Sequence, residues 1–287
     1  MKSVIPVGLY DSGIGGLTVW LALKKIIDED LIYYGDLKHV PYGDKSREEI
    51  LFYSYNIISF LQAQGAKLVV AACNTSSALA LPKLHSTFKM PIFGVIEPAV
   101  EKALATTKNN RIGLMATVAT VKSGSYQNLF SKVAPHTKVF AQACPKLVPL
   151  IEAGILQGQL VTEALYEYLD PLINQGIDTL VLGCTHYPFL LPEIQKIVGD
   201  AVQIVDPAWQ TALNVQSWIQ EHGARSQEVT QRQLNFWVSG NPAEFQKRAA
   251  EFIGYQIDKV HYHQPPEALP DQIEQLISKL SIKWGDD

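Results

Sequence analysis

Short apolar runs alternate with helix-length amphipathic segments along this chain. The helical segments include "REEILFYSYNIISFLQAQG" and "QLVTEALYEYLDPLINQG", and a glycine (Gly65 or Gly176) ends each of them. Strands separated by helices favour parallel sheets built from βαβ units. The strand candidates are "VIPVGLY", "LIYYGD", "LVVAAC", "PIFGVI", "RIGLMAT", "KVFAQA", "TLVLGC" and "VQIVD". The pattern therefore predicts an α/β fold.

Two segments of the chain repeat each other. In "AKLVVAACNTSSALALP" an apolar run ends at Cys73, and in "DTLVLGCTHYPFLLP" a similar run ends at Cys184; a proline closes both. Further landmarks recur at nearly the same separation, namely the pairs Asp11 and Thr117, Cys73 and Cys184, and Glu97 and Asp206. The repetition indicates two similar halves rather than a solenoid. We therefore predict two similar doubly wound parallel-sheet domains that face each other across a central cleft.

The repeated acid–proline pairs suggest where the chain passes between these domains. Each pair follows a predicted strand and opens a predicted helix, at Glu97-Pro98 and at Asp206-Pro207. We predict that residues 1–97 form the core of the first domain and residues 98–206 the second. Residues 207–287 are expected to return to the first domain.

Composition narrows the classes of function. The chain has 287 residues, 47% of them hydrophobic, and a formal net charge of −4. A nucleic-acid-binding protein favours a basic stripe, which this charge does not suggest. No run of about 18 apolar residues indicates a membrane span, and the N-terminus is not typical of a secretory signal. Three cysteines without such a signal indicate free thiols in a reducing cytoplasm.

The two repeated cysteines are candidates for chemistry. Ligand sites in open parallel sheets lie outside the carboxyl ends of the strands, where Cys73 and Cys184 are expected on turns that open helices. A helix N-terminus stabilises a thiolate, so we expect lowered cysteine pKa values there, and it also binds carboxylates. Neutral donors would come from Ser12, Asn74, Thr75 and Thr185. A lone cysteine is more often a small buried hydrophobe, and Cys144, outside the repeat, is interpreted in that way.

Each repeated cysteine has a candidate acid–base neighbour. His186 lies two residues after Cys184, where proton handling competes with the alternative of a core histidine. Asp11 follows the first strand and is expected beside Cys73, although an aspartate there can simply cap the next helix. Glu152, taken alone, reads as an ordinary surface acid. The loop "KHVPYGDKS", with Pro41, Tyr42 and Gly43, is expected at the rim of the same cleft.

Two cofactor readings remain open at this point. In "DSGIGG", Gly13 and Gly15 match the first two glycines of a dinucleotide-binding loop, but Thr18 replaces the third; Asp36 stands about where a ribose-binding acid would. A zinc site is weaker, because Cys184 and His186 supply only two close ligands.

Taken together, these motifs resemble those of the glutamate racemases in the cofactor-independent Asp/Glu racemase superfamily. The matching stretches are "DSGIGGLTV", "GDLKHVPYG", "ACNTSSALAL", "GVIEPAV" and "GCTHYPFL". They occur in family order and span most of the chain. Two residues depart from the family pattern: Ser76 replaces the usual alanine after "CNT", and Ala116 replaces a glycine before Thr117.

The resemblance implies roles for individual residues. Cys73 and Cys184 would be the two catalytic bases, Asp11 would assist Cys73, and His186, supported by Glu152, would assist Cys184. Substrate contacts would come from Asp11, Ser12, Tyr42, Gly43, Asn74, Thr75, Thr117, Thr185 and His186, with Thr120 beyond them. The resemblance further implies glutamate as substrate, no cofactor or metal, a role in peptidoglycan synthesis in the cytoplasm, and compatibility with a homodimer.

Racemisation itself gives a reason for paired groups. The reaction removes the Cα proton from one face of the substrate and returns a proton to the other, which a thiolate and a thiol on opposite sides can do. Helix N-termini and neutral donors would stabilise the carbanion in part, and domain closure would exclude water. The alternatives are an aspartate racemase, a cysteine-dependent lyase or decarboxylase of the same superfamily, and a non-enzymatic carboxylate binder.

Overall fold

The computed structural model describes residues 6–222 and 232–282. Its ten strands alternate with helices, and all strand pairings among them are parallel. The strands are β1 (Val7–Asp11), β2 (Leu31–Gly35), β3 (Leu68–Ala71), β4 (Ile92–Phe93), β5 (Arg111–Ala116), β6 (Lys138–Ala143), β7 (Thr179–Gly183), β8 (Gln203–Val205), β9 (Leu234–Val238) and β10 (Val260–Tyr262).

Thirteen α-helices connect or follow these strands in the described residues, with two short 3₁₀ turns at Tyr42–Asp44 and Tyr187–Leu190. The helices are α1 (Leu17–Ile26), α2 (Arg47–Ala63), α3 (Asn74–Leu79), α4 (Leu81–Leu84), α5 (Ile96–Thr106), α6 (Val118–Lys122), α7 (Ser125–Val133), α8 (Leu147–Glu152), α9 (Gln159–Ile173), α10 (Leu191–Val198), α11 (Pro207–Glu221), α12 (Pro242–Ile253) and α13 (Pro270–Lys279).

The strands form two sheets with related topology. The first has the order β10-β9-β2-β1-β3-β4 and the second the order β6-β5-β7-β8. The second order repeats the β2-β1-β3-β4 portion of the first, strand for strand. Separate hydrophobic clusters cover the two faces of each sheet, as in doubly wound folds. The predicted fold class is confirmed.

Every strand candidate contains a strand, although two differ from expectation. The segment "PIFGVI" gives only the two residues of β4, because the chain enters α5 at Ile96. "VIPVGLY" becomes β1 from Val7, and its residues 4 and 5 lie outside the described part of the chain. Gly65 and Gly176 follow the ends of α2 and α9 with φ of 86° and 67°, a left-handed conformation that favours glycine.

The chain leaves the first sheet after β4 and returns to it after β8. Helix α11 packs on α1 through Ala212 and Val215, and β9 then pairs with β2. We call strands β1–β4, β9 and β10 with helices α1–α4 and α11–α13 the first half. Strands β5–β8 with helices α5–α10 are the second half. Division into domains at residues 97 and 206 stays a prediction. No helix within residues 6–222 or 232–282 is long and apolar enough to cross a membrane.

Candidate active site

The carboxyl ends of the two sheets meet at a small enclosed cavity, which we call the thiol cavity. Strand β1 delivers Ser12 to its wall, β3 delivers Cys73, and β7 delivers Cys184. The lining residues are Ser12, Pro41, Tyr42, Gly43, Cys73, Asn74, Thr75, Thr117, Val148, Cys184, Thr185 and His186. The structure thus brings together eleven residues singled out from the sequence, counting Pro41, with Asp11 directly behind them. Val148 was missed, since nothing marks one valine among many.

Cys73 is the residue before the first turn of α3 and is almost fully buried. Its thiol donates to Ser12 Oγ at 3.8 Å. Burial raises the pKa of the Cys73 thiol to about 12, and the negative charge of Asp11 adds to the effect, although a backbone N–H of Ser76 opposes it. The expectation of a lowered pKa was wrong for Cys73: loss of water outweighs the start of a six-residue helix. At neutral pH Cys73 is therefore a thiol.

Asp11 is fully buried at the end of β1, where it joins the two halves. Its carboxylate accepts from Thr185 Oγ1 at 3.0 Å and from the backbone N–H of Gly13 at 3.0 Å. Ser12, rather than Asp11, makes the direct contact with the Cys73 thiol, which refines the expected pairing. Burial raises the pKa of Asp11, while the charge of His186 opposes the rise. Asp11 does not cap α1, whose N-cap is Gly16.

Cys184 follows β7 directly and faces the His186 ring. Cys184 Sγ and His186 Nδ1 are 3.8 Å apart. The turn leads into the 3₁₀ turn at Tyr187–Leu190 before α10 begins, so Cys184 does not stand at the start of an α-helix as Cys73 does. Burial lowers the pKa of His186, but hydrogen bonds to Cys184 and Glu152 reverse this and hold it well above its usual value. An imidazolium therefore faces Cys184.

Glu152 is not an ordinary surface acid. At the end of α8, its Oε1 lies 2.6 Å from His186 Nε2, and its Oε2 accepts from Arg248 Nη1 at 3.1 Å. Burial favours the neutral carboxyl, but the hydrogen bond from His186 and the charges of His186 and Arg248 outweigh it and keep the pKa of Glu152 below its usual value. Arg248, on α12, was missed because it lies far along the chain and outside any motif.

Polar groups close the cavity on the side of α3 and α6. Asn74 Oδ1 accepts from Tyr126 Oη at 2.6 Å, while Asn74 Nδ2 is buried without a hydrogen-bond partner in the described structure. Thr75 Oγ1 lies 3.0 Å from Thr117 Oγ1 and 3.3 Å from Thr120 Oγ1. Thr117 also caps α6 by accepting from the N–H of Thr120. The structure thus places Thr117 and Thr120 together at the site.

The loop after β2 covers the cavity and is anchored by Asp36. The buried Asp36 carboxylate accepts from Tyr42 Oη at 2.5 Å and from Ser239 Oγ at 2.7 Å, and His39 Nδ1 lies 2.9 Å from both of its oxygens. The Tyr42 hydroxyl is thus committed to Asp36, and burial raises its pKa well above the usual value. Gly43 approaches Thr117 so closely that a Cβ would lie 2.9 Å from Thr117 Cβ.

The glycines of "DSGIGG" make room for the opposite half. A Cβ on Gly15 would lie 2.5 Å from Thr185 Oγ1 and 2.9 Å from the backbone nitrogen of His186, and a Cβ on Gly13 would lie 2.8 Å from Glu152 Oε1. Close approach of Glu152, Thr185 and His186 therefore accounts for these glycines, whereas a dinucleotide loop needs them for a pyrophosphate. Asp36 likewise anchors a loop of its own chain.

Cys144 lies outside the thiol cavity, and the possible metal ligands do not form a cluster in the described residues. Cys144 is buried in the second half, where its thiol donates to the Gln142 carbonyl at 3.4 Å, and burial raises its pKa. All three cysteines are free. Residues 6–222 and 232–282 contain no group of three His, Cys, Asp or Glu side chains placed to hold a metal ion.

Comparison with known proteins matches this chain to one family. The family model for Asp/Glu/hydantoin racemase matches residues 22–214. A glutamate racemase from Desulforudis audaxviator is 44% identical over 262 residues, which cover 88% of this chain and 96% of that protein.

Solved structures agree. Glutamate racemase isoform RacE1 from Bacillus anthracis superposes with a TM-score of 0.86 at 33% identity, covering 92% of this chain and 98% of that one. A glutamate racemase from Francisella tularensis in complex with D-glutamate superposes with a TM-score of 0.83 at 33% identity, covering 91% and 97%. The sequence resemblance is confirmed, and the chain belongs to the Asp/Glu/hydantoin racemase family of amino-acid racemases.

Proposed function

We propose that this protein interconverts L-glutamate and D-glutamate without a cofactor, using Cys73 and Cys184 as the two bases. One observation carries the proposal: two thiols, delivered by corresponding strands of two similar sheets, line a single cavity. The many relatives described as glutamate racemases support glutamate as the substrate.

The electrostatics support a resting state with unequal thiols. Cys73 carries its proton at neutral pH, and an imidazolium faces Cys184. A positive neighbour stabilises a thiolate. The family resemblance assigns L-glutamate to Cys184, so in this state Cys184 would remove the Cα proton of L-glutamate and Cys73 would donate to the other face. The reverse reaction starts with the protons exchanged, and Asp11, whose raised pKa makes it a better base, assists Cys73.

Neutral groups would bind the substrate and stabilise the carbanion. Asn74 Nδ2 is a buried donor without a partner in the described residues, so it is available for a carboxylate. The side chains of Ser12, Thr75, Thr117 and Thr185, with Tyr42 and Gly43 of the covering loop, would complete the contacts. Donors in a dry site stabilise developing negative charge more strongly than donors in water.

Substrate entry requires the halves to open. The thiol cavity has about 290 Å³ of empty space, part of it open to solvent, but the centre of a water molecule can occupy only about 20 Å³ of it. That is room for little more than one water molecule. We therefore propose that glutamate enters an open form, and that the contacts between Asp11 and Thr185 and between Gly43 and Thr117 re-form on closure.

The proposed setting is the cytoplasm, where reducing conditions keep catalytic thiols free. There the D-glutamate would supply peptidoglycan synthesis. A homodimer stays a prediction of the family resemblance.

The direct test is incubation of the purified protein with L-glutamate in the absence of cofactor, followed by polarimetry. We expect the optical rotation to decay to zero while the glutamate concentration stays constant. An unchanged rotation would favour a carboxylate binder, and a new compound would favour a lyase or decarboxylase. Decay with L-aspartate but not with L-glutamate would favour an aspartate racemase.

Solvent isotope incorporation tests the two-base mechanism. When L-glutamate reacts briefly in D₂O, we expect the D-glutamate formed to carry deuterium at Cα, because the donating thiol has exchanged with solvent. The recovered L-glutamate should carry much less, because its face meets only the proton just removed. Mass spectrometry of the separated enantiomers measures both. Early D-glutamate that is mostly protonated at Cα would contradict two opposed bases.

A further inference from the structure

Glu152 is the only described residue of the second half that both contacts His186 and receives a charged donor from the first half. The Arg248 guanidinium donates to Glu152 Oε2 at 3.1 Å and also to the backbone carbonyl of Glu152 at the end of α8. The backbone N–H of Ile14, in the segment "DSGIGG", also donates to the Glu152 carboxylate, which thus has three donor residues: His186, Arg248 and Ile14. Two of these groups belong to the first half, whereas Glu152 and His186 belong to the second.

This arrangement forms a chain of contacts from α12 to the thiol. Arg248 binds Glu152, Glu152 binds His186 Nε2, and His186 Nδ1 faces Cys184. A carboxylate that accepts from one ring nitrogen fixes the orientation of the imidazole and stabilises its protonated form. Arg248 Nη1 makes both contacts with Glu152, while Nη2 pairs with Glu244 on α12, so the guanidinium holds two carboxylates at once, which a lysine ammonium does less well. Opening the halves would remove Arg248 and Ile14 from Glu152.

We propose that Arg248 is a positioning residue that couples closure of the two halves to the acid–base function of Cys184. In the closed form, Arg248 keeps Glu152 ionised and in place, and Glu152 then holds His186 against Cys184. The inference rests on the proposed racemase function and deepens it. The Cys73 side uses a different bridge, the neutral hydroxyl of Thr185 on Asp11.

The test compares Arg248→Gln with a matched control, Lys247→Gln. Lys247 is the exposed neighbour on the same helix, and its ion pair is with Glu251, so the control removes the same charge away from the site. For Arg248→Gln we expect kcat from L- to D-glutamate to fall about tenfold, as for loss of one charged hydrogen bond. The kcat from D- to L-glutamate should fall less, and Arg248→Lys should recover part of the loss.

The pH profile provides a second readout. The groups that face Glu152 are His186 from its own half, Arg248 with its partner Glu244 on α12, and Tyr33, whose raised pKa keeps it neutral. Arg248 helps to lower the pKa of Glu152, so its removal lets Glu152 protonate at a higher pH. The acid limb of kcat for L-glutamate should therefore shift to higher pH in Arg248→Gln and stay in place in Lys247→Gln.

A double-mutant comparison completes the test. In a Glu152→Gln background, Arg248→Gln should have no further effect on kcat, because Arg248 acts through the carboxylate. Equal losses of kcat in both directions with an unmoved acid limb would mean that Arg248 only holds the halves together, and would overturn the proposal. Additive losses would overturn it as well. Absence of racemisation in the unmodified protein would instead refute the proposed function itself.

Discussion

Replacing Cys73 or Cys184 by alanine is expected to abolish glutamate racemisation, with kcat reduced by about 10³-fold or more in both directions. Each thiol handles one face of Cα, so either loss interrupts both directions. The structure offers no substitute acid or base in contact with Cys73, whose described side-chain contact is the neutral Ser12. Polarimetry with each enantiomer measures the loss, and circular dichroism with thermal unfolding checks the fold.

Cys144→Ala is the matched control. Cys144 is as well buried as the other two cysteines and lies in the second half, so the same atom is removed from a similarly packed site. Its thiol bonds to the Gln142 carbonyl and is absent from the lining of the thiol cavity. We expect near-normal kcat in this variant. Near-normal turnover in Cys73→Ala or Cys184→Ala would contradict the two-base mechanism.

Most of the fold could be predicted from the sequence, and the reason is physical. Buried parallel strands require continuous apolar runs, and helices between them require amphipathic periodicity, so both patterns are local. The repeated landmarks then related β1 to β5 and β3 to β7, which the matching strand orders bear out. Where the prediction was too long, at β4, the apolar run "GVI" belongs to the connection and the start of α5, because a short apolar run does not reveal its own period.

Of the candidate site, the sequence could predict only the residues that lie at the carboxyl ends of strands. Asp11 is the last residue of its strand and Cys73, Cys184 and Thr117 come just after theirs, so topology brings the four together. Contacts between the two halves could not be predicted from the sequence. Arg248 reaches Glu152 only because α12 packs beside the second half, and no local pattern encodes that approach. The pKa of Cys73 was misjudged for the same reason, since helix starts are visible in a sequence but exclusion of water is not.

The other large effect is expected for His186→Asn and Asp11→Asn, and it should depend on direction. His186 faces Cys184, so His186→Asn should lower kcat from L- to D-glutamate by about 10²-fold and the opposite kcat less. Asp11 is buried and directly precedes Ser12, whose hydroxyl contacts the Cys73 thiol. Asp11→Asn should therefore lower kcat from D- to L-glutamate more than kcat from L- to D-glutamate. Progress curves from each pure enantiomer give both values of kcat.

Thermodynamics supplies an internal control for this experiment. The two enantiomers have equal free energy, so kcat/KM must be the same in both directions in every variant, and a change in kcat must be matched by a change in KM. A direction-dependent kcat therefore reports which protonation form of the enzyme has become harder to use. His186→Asn removes the imidazolium that faces Cys184, and Asp11→Asn removes the base proposed to help Cys73 to lose its proton. Equal losses of kcat in both directions, for both variants, would show that the two groups serve the site as a whole rather than one thiol each.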